Sequence, residues 1–312
     1  MRKTAFIILA MLATVSCVEE FSPDIKKSDA YRVVVDAVLT TDTTAHCVRL
    51  STSAPYGTVS ELIPVVSGAS VKLSDGSKEI VLREDPGTGC YYTPEDYAGE
   101  VGKTYTLTAD GEDDGKPFHL TASDTMPAAG IRIDDFDYYK LTDSLWVFAL
   151  WGQDFPGIES HYSADLRVNG VAHGYGDWMT VDGYDMFDGS YLAGAEYLVY
   201  SAAGLVEGMG GMAGMGGKEG TPPLKEGDVV DLYFYSLSAD FNRMLMSMMN
   251  ESFAHMPLFT PQPGNVPTNI QGENAAGVFG LAHCARASLV IGNPNRNRLE
   301  MMADHGMLPP KF

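Results

Sequence analysis

The chain is poor in cysteine and in positive charge, and each shortage excludes something. Four cysteines are spread over 312 residues, and no two stand in a C-x-x-C arrangement. Zinc ribbons and dithiol redox centres use that spacing, so neither has support. Lys and Arg number 21 against 41 Asp and Glu, a formal net charge of −20. Nucleic-acid affinity depends on cations that neutralise phosphates, so no nucleic-acid partner is expected. Catalytic motifs are also missing: there is no G-x-S-x-G elbow, no H-E-x-x-H and no G-x-x-x-x-G-K-[ST]. The seven histidines are scattered singly. The expectation is a non-enzyme, with a hydrolase assembled from distant residues as an alternative. Hydrophobic residues make up 45% of the chain, enough for packed cores and too many for a disordered chain.

What is present starts at the N-terminus. Arg2 and Lys3 precede an apolar run, Ala5 to Val15, interrupted only by Thr14. The run is about half of the ~20 residues that a membrane-spanning helix needs. A charged start, a short apolar stretch and the small residue Ser16 read as a signal peptide over residues 1–16. The next residue is Cys17. This resembles the bacterial lipoprotein signal, in which the cysteine is acylated and becomes the mature N-terminus. A plain secretory signal with an incidental cysteine is the alternative. One acyl chain binds membranes only reversibly, whereas two or more anchor stably. The covalent lipid on Cys17 is therefore expected to hold an acidic protein that anionic lipid would otherwise repel.

Past an acidic tether at 17–28, period-2 patterning dominates. "YRVVVDAVLT" (Tyr31 to Thr40) and "HCVRLSTS" (His46 to Ser53) read as strands. "ASVKLSDGSKEIVLRE" (Ala69 to Glu84) reads as two strands about the turn Asp75-Gly76, and Lys103 to Ser123 repeats the scheme with a polar tip. Short strands at this spacing suggest a β-sandwich. Pro127 and Gly130 mark a boundary. In the second half, Ser144 to Asp154 is apolar on both faces and reads as a central strand. Tyr162 to Gly170 ends in the turn signal Asn169-Gly170, and Asp228 to Ser238 alternates. The period then changes: Phe241, Leu245, Met248 and Met249 share one face of a helix, with Ser238 as its N-cap. Two more strands are expected at Gly277 to His283 and Ala287 to Ile291, and a poorly packed polar tail at 293–312.

Seven stretches, in order, carry a family resemblance: "SCVEEFSPD", "VVVDAVLTTD", "VRLSTSAPYG", "VSGASVKLSDG", "GEVGKTYTLTA", "LYFYSLSADFNRML" and "NIQGENAAGVFG". With them the chain resembles the lipoprotein family of Bacteroides-type bacteria catalogued as domain of unknown function 4249. The resemblance implies an anchored, mainly β protein, often encoded near TonB-dependent outer-membrane receptors, and it carries no catalytic residues. Glu19 and Glu20 resemble the short acidic signal that routes such lipoproteins to the outer face of the outer membrane. Taken together, the expected fold is mainly β. Two β-sandwich domains of immunoglobulin- or prealbumin-like kind would occupy 29–126 and 127–292, the second with an inserted α-helix near 239–253.

The remaining constellations are weaker. Met209, Met212 and Met215 recur every three residues in "GMGGMAGMGG". Thioethers are soft ligands suited to Cu(I); a plain glycine linker explains the same residues. Asp182, Asp185 and Asp188 lack the calcium-loop pattern and read as an acidic turn. Trp146, Trp151 and Trp178 suit a core better than an exposed stacking site. Of the cysteines left after Cys17, a Cys47–Cys90 bridge is one arrangement and buried thiols another. The functional expectation is a non-enzymatic, surface-exposed outer-membrane lipoprotein that acts as an accessory of a TonB-dependent uptake receptor. Receptor contact is expected through the loops Tyr175 to Gly194 and His255 to Glu273. A stand-alone surface binding module, with Cu(I) on the methionine loop as one variant, is the alternative.

Overall fold

The computed structural model of the chain describes residues 31–54, 62–172, 181–182, 188–202, 221–253 and 266–307. It is mainly β. The first half carries β1 (Val33–Thr40), β2 (Cys47–Thr52), β3 (Ser70–Ser74), β4 (Glu79–Val81), β5 (Arg83–Asp85), β6 (Cys90–Tyr92), β7 (Thr104–Asp113) and β8 (Lys116–Thr125). Then come β9 (Ile131–Thr142), β10 (Leu145–Asp154), β11 (His161–Val168), β12 (Val171–Ala172), β13 (Val181–Asp182), β14 (Tyr191–Ser201) and β15 (Val229–Leu237). Helix α1 (Ala239–Phe253), β16 (Ala275–Val290) and helix α2 (Arg298–Asp304) follow.

A large sheet runs in the order β12-β11-β15-β16-β1-β2-β6-β5, with β13 paired to β11. Two smaller sheets, β4-β3-β7-β8 and β14-β10-β9, complete the described strands. The alternation in β1 decides which side of the large sheet is core. Val33, Val35, Ala37 and Leu39 are buried, while Asp36 between them is exposed. Val35, Leu50 and Leu281 of the large sheet pack in one cluster with Val71, Leu107 and Leu120 of the four-stranded sheet. Leu166, Val230 and Leu232 pack in a second cluster with Trp146, Phe148 and Leu192 of the three-stranded sheet. Fully burying one such side chain contributes about 1.5–3 kcal/mol, so these two cores dominate the hydrophobic stabilisation.

One strand joins them. Where two strands were expected between Gly277 and Ile291, β16 is a single strand of 16 residues. Its first half pairs in parallel with β1, from Val33↔Ala275 to Thr40↔Ala282. Its second half pairs antiparallel with β15, from Leu237↔Ala282 to Val229↔Val290. The boundary expected at residue 127 falls between β8 and β9, and the large sheet continues across it through β16. The turn chemistry agrees with the sequence. Asp114 and Gly115 (φ 49° and 73°) close the β7–β8 hairpin, and Asn169 and Gly170 (φ 52° and 80°) close β11–β12. Both have the two positive φ values that a two-residue hairpin turn requires.

The C-terminal segment corrects an expectation. The tail from Asn293 to Met307 is packed. β10 is the middle strand of its sheet and apolar on both faces, so its outer face needs a cover. Met301 of α2, only 1% exposed, packs there with Tyr139, Val147, Ala149 and Trp151. His305 stacks on Trp151 with ring centroids 3.8 Å apart and places Nε2 2.8 Å from Asp137. Trp146 Nε1 donates to the Pro294 carbonyl at 2.8 Å. Polarity in the tail's sequence hid one buried methionine and a set of charges with partners on β9 and β14.

Candidate functional site

Side chains on the other side of the large sheet follow from its register. Arg49 lies opposite Asp36 across β2–β1. Tyr233 lies opposite Arg286 across β15–β16 and opposite Asp165 across β11–β15. The same face carries Val278, Ala282, Tyr235 and Leu237, which α1 covers with Phe241, Met244 and Leu245. The Ser238 hydroxyl caps α1 by accepting from the Phe241 N–H at 3.3 Å. Met248, expected on the same stripe as Phe241 and Leu245, is exposed. Beyond the helix no described residue covers the face, and residues 42–46 line it. The result is a groove of about 500 Å³ that strands β1, β2, β11, β15 and β16 all help to line.

Three arginines reach this groove from three strands: Arg49, Arg167 and Arg286. Arg286 grips Asp42 with both Nε and Nη2, each at 2.8 Å. Arg167 Nε lies 3.0 Å from Asp165. The guanidinium carbons of Arg167 and Arg286 stand 4.1 and 4.5 Å from the centroid of the Tyr233 ring. A cation over an aromatic ring within about 6 Å is attracted to its electron-rich face. Tyr233 and the two carboxylates thus set both side chains in place. Arg49 has no hydrogen bond or ion pair among the described residues, although it faces Asp36. Asp36 stands on the groove floor, open to solvent but walled by protein. Burial raises its pKa above the ordinary carboxylate value of 3.8, and Arg49 only partly opposes that.

The thiols in and beside the groove, Cys47 lining it and Cys284 next to it, are poor nucleophiles. Burial, with a hydrogen bond to Cys90, pushes the Cys47 thiol up to about 12. Burial, with the Asp42 carboxylate nearby, pushes Cys284 up to about 12. Nucleophilic cysteines have the opposite setting, a lowered pKa beside positive charge. Cys47, Cys90 and Cys284 are free thiols, so the first pair touches without a bridge. His46 at the wall donates from Nε2 to the Asp42 carbonyl, 3.2 Å away, and burial lowers its pKa. The arrangement suits binding through preset donors.

The residues singled out from sequence are placed as follows. Cys17, Glu19, Glu20, Met209, Met212 and Met215 lie outside the described residues, as do Asp185 and Trp178. Asp188 accepts from the Gly157 N–H at 2.6 Å, a bond between two loops 31 residues apart. Trp146 and Trp151 are core residues. Among the described residues no group of three or more His, Cys, Asp or Glu could hold a metal ion. No described helix is long and apolar enough to cross a membrane. Sequence reasoning missed the three arginines. Each sits at a polar position of an alternating strand, in "CVRLS", "DLRV" and "CARA". Only the strand order brings those positions together.

A model of the family described as Domain of unknown function (DUF4249) matches residues 18–287. No curated protein matches the chain at a significant level.

Proposed function

The chain belongs to that family, and from this premise we propose that it is a non-enzymatic, lipid-anchored binding protein of the outer membrane, accessory to a TonB-dependent uptake receptor. Lipid on Cys17 would hold it to the membrane, and Glu19 and Glu20 would route it to the cell exterior. Each half would be a β-sandwich of immunoglobulin- or prealbumin-like kind, the two sharing the large sheet. The groove is the ligand face. The observation that carries this reading is the preset Arg167–Tyr233–Arg286 cluster in a groove of the large sheet. Side chains already fixed before binding lose little entropy on binding, which is what a capture site needs. The receptor contact is assigned to the loop regions 175–194 and 255–273. Pro267 and three further prolines in the second of these limit the entropy lost on ordering.

Two measurements test it. Metabolic labelling with a palmitate analogue should mark the wild type and leave Cys17→Ala unmarked and unprocessed. Native lipoprotein, crosslinked from positions in 188–194 and 266–273, should co-isolate with a β-barrel receptor. Labelling of the mutant overturns the anchor. Absence of any membrane-protein partner moves the reading to a stand-alone surface binding module.

A further inference from the structure

The chemistry of the groove narrows its ligand, taking as given the reading that this face binds one. The chain's net charge of −20 repels anions at long range. Even so, the groove gathers Arg49, Arg167 and Arg286 against Asp36 and Asp42. With Asp165 on Arg167 and Asp42 on Arg286 the charges balance, three against three, so the guanidinium left to draw an anion is that of Arg49, which suits a monoanion. A phosphate dianion would meet Asp36 as a second negative charge on the groove floor, and a carboxylate meets less repulsion.

The donors also count. A guanidinium carries five N–H groups in a planar fork that matches a carboxylate. Arg286 commits Nε and Nη2 to Asp42, and Arg167 commits Nε to Asp165. Arg49 commits none. Beside Arg49, directly across the β1–β2 ladder, stands the acceptor Asp36, itself without a hydrogen bond among the described residues. An anion-binding fork next to an open carboxylate acceptor calls for an acid with a hydroxyl beside its carboxylate. Thr43 and Thr44 of the wall add hydroxyls that can donate or accept. The volume of about 500 Å³ lies within the ~300–1,000 Å³ of small-molecule sites.

We infer that the groove binds a monoanionic, polyhydroxylated carboxylic acid, a sugar acid in chemical class. Its carboxylate sits on Arg49 and the nearest free hydroxyl, the 4-hydroxyl in a uronate pyranose, donates to Asp36. Arg167 and Arg286, held by Tyr233, form the opposite wall and contribute their uncommitted Nη groups. The source can be a free sugar acid or the uronate end of a polysaccharide, since both offer the same group.

Calorimetry on the full chain tests this with glucuronate, galacturonate, a galacturonate trimer, glucose and inorganic phosphate. Sugar acid should bind and glucose should not. Arg49→Gln should weaken binding at least tenfold, and Arg49→Lys less, with unchanged melting temperature in both. Tighter binding of the trimer assigns the site to polymer ends, and equal binding assigns it to the free acid. Glucose bound as well as glucuronate, or phosphate bound more tightly, overturns the inference. So does the absence of sugar-acid binding at millimolar concentration. Receptor co-isolation, measured in parallel, separates this from the broader reading. If no acid binds and Arg49→Gln abolishes co-isolation, the groove docks an acidic segment of the receptor. The ligand assignment then fails while the accessory role stands.

Discussion

Asp124 accepts a short hydrogen bond from the Ser238 hydroxyl, across 114 residues of sequence. The same Asp124 oxygen accepts from the Leu281 N–H at 3.2 Å, and the Ser238 N–H donates to the Leu281 carbonyl at 2.9 Å. One carboxylate therefore fastens the end of β8 to the N-cap of α1 and to the middle of β16, where β16 changes partner from β1 to β15. Because α1 covers part of the face that carries the groove, this contact also sets the groove's edge.

Asp124→Ala should therefore destabilise the whole fold. It leaves the Leu281 N–H and the Ser238 hydroxyl without their acceptor, a loss of about 1–3 kcal/mol. Asp124→Asn keeps an acceptor and should lose less. Urea denaturation of both variants checks the order. Equal stability of Asp124→Ala and wild type would show the contact to be dispensable.

Gly277 has no freedom to change. Its φ is +99°, and a Cβ there would stand 1.9 Å from the Val35 carbonyl oxygen. The backbone of β16 approaches β1 this closely at the start of their parallel pairing. Gly277→Ala forces both a strained φ and a backbone shift, so a loss above about 2 kcal/mol is expected. A melting temperature within a degree of wild type would contradict it.

The tail prediction follows from β10. Met301→Ala opens a cavity over Val147, Ala149 and Trp151, and should cost about 2–5 kcal/mol. Ending the chain at Gly292 should cost more, because Trp146 Nε1 also loses the Pro294 carbonyl. Thermal denaturation followed by tryptophan fluorescence reads both effects. A truncated chain that melts like the full one would mean that α2 adds nothing to the core.

Local physics was legible where it acts locally. Alternation located β1, β2 and the β7–β8 hairpin, Asn169-Gly170 closed its turn, and Ser238 capped α1, whereas the strand expected after Asp75-Gly76 breaks at Leu82 into β4 and β5, which join different sheets. The double-sided apolarity of β10 was visible as well, but not what covered it, because Met301 lies about 150 residues downstream in a polar segment. The groove was illegible for the same reason. Arg49, Arg167 and Arg286 each look like an ordinary solvent-facing residue of an alternating strand. Their convergence depends on β16 joining β1 to β15, a long-range pairing that no local pattern encodes.

Asp36 gives the groove a pH signature. Burial in the groove raises its folded pKa above the ordinary 3.8, and the attraction of Arg49 does not cancel the rise. Between the unfolded and folded values the folded state holds the proton more firmly than the unfolded state. Stability contributed by Asp36 is therefore present below the ordinary carboxylate range and falls as pH rises through that window. Asp36→Asn has no proton to lose. The variant should match wild type at about pH 3, gain on it as pH rises past the ordinary carboxylate value, and keep a constant advantage near neutrality. Melting temperatures of both proteins across a pH series test this, and a difference independent of pH would refute it. The same substitution removes the acceptor proposed for the ligand's hydroxyl, so it should weaken glucuronate binding while stabilising the free protein. Stability and affinity moving in opposite directions is what a binding residue predicts and a merely structural one does not.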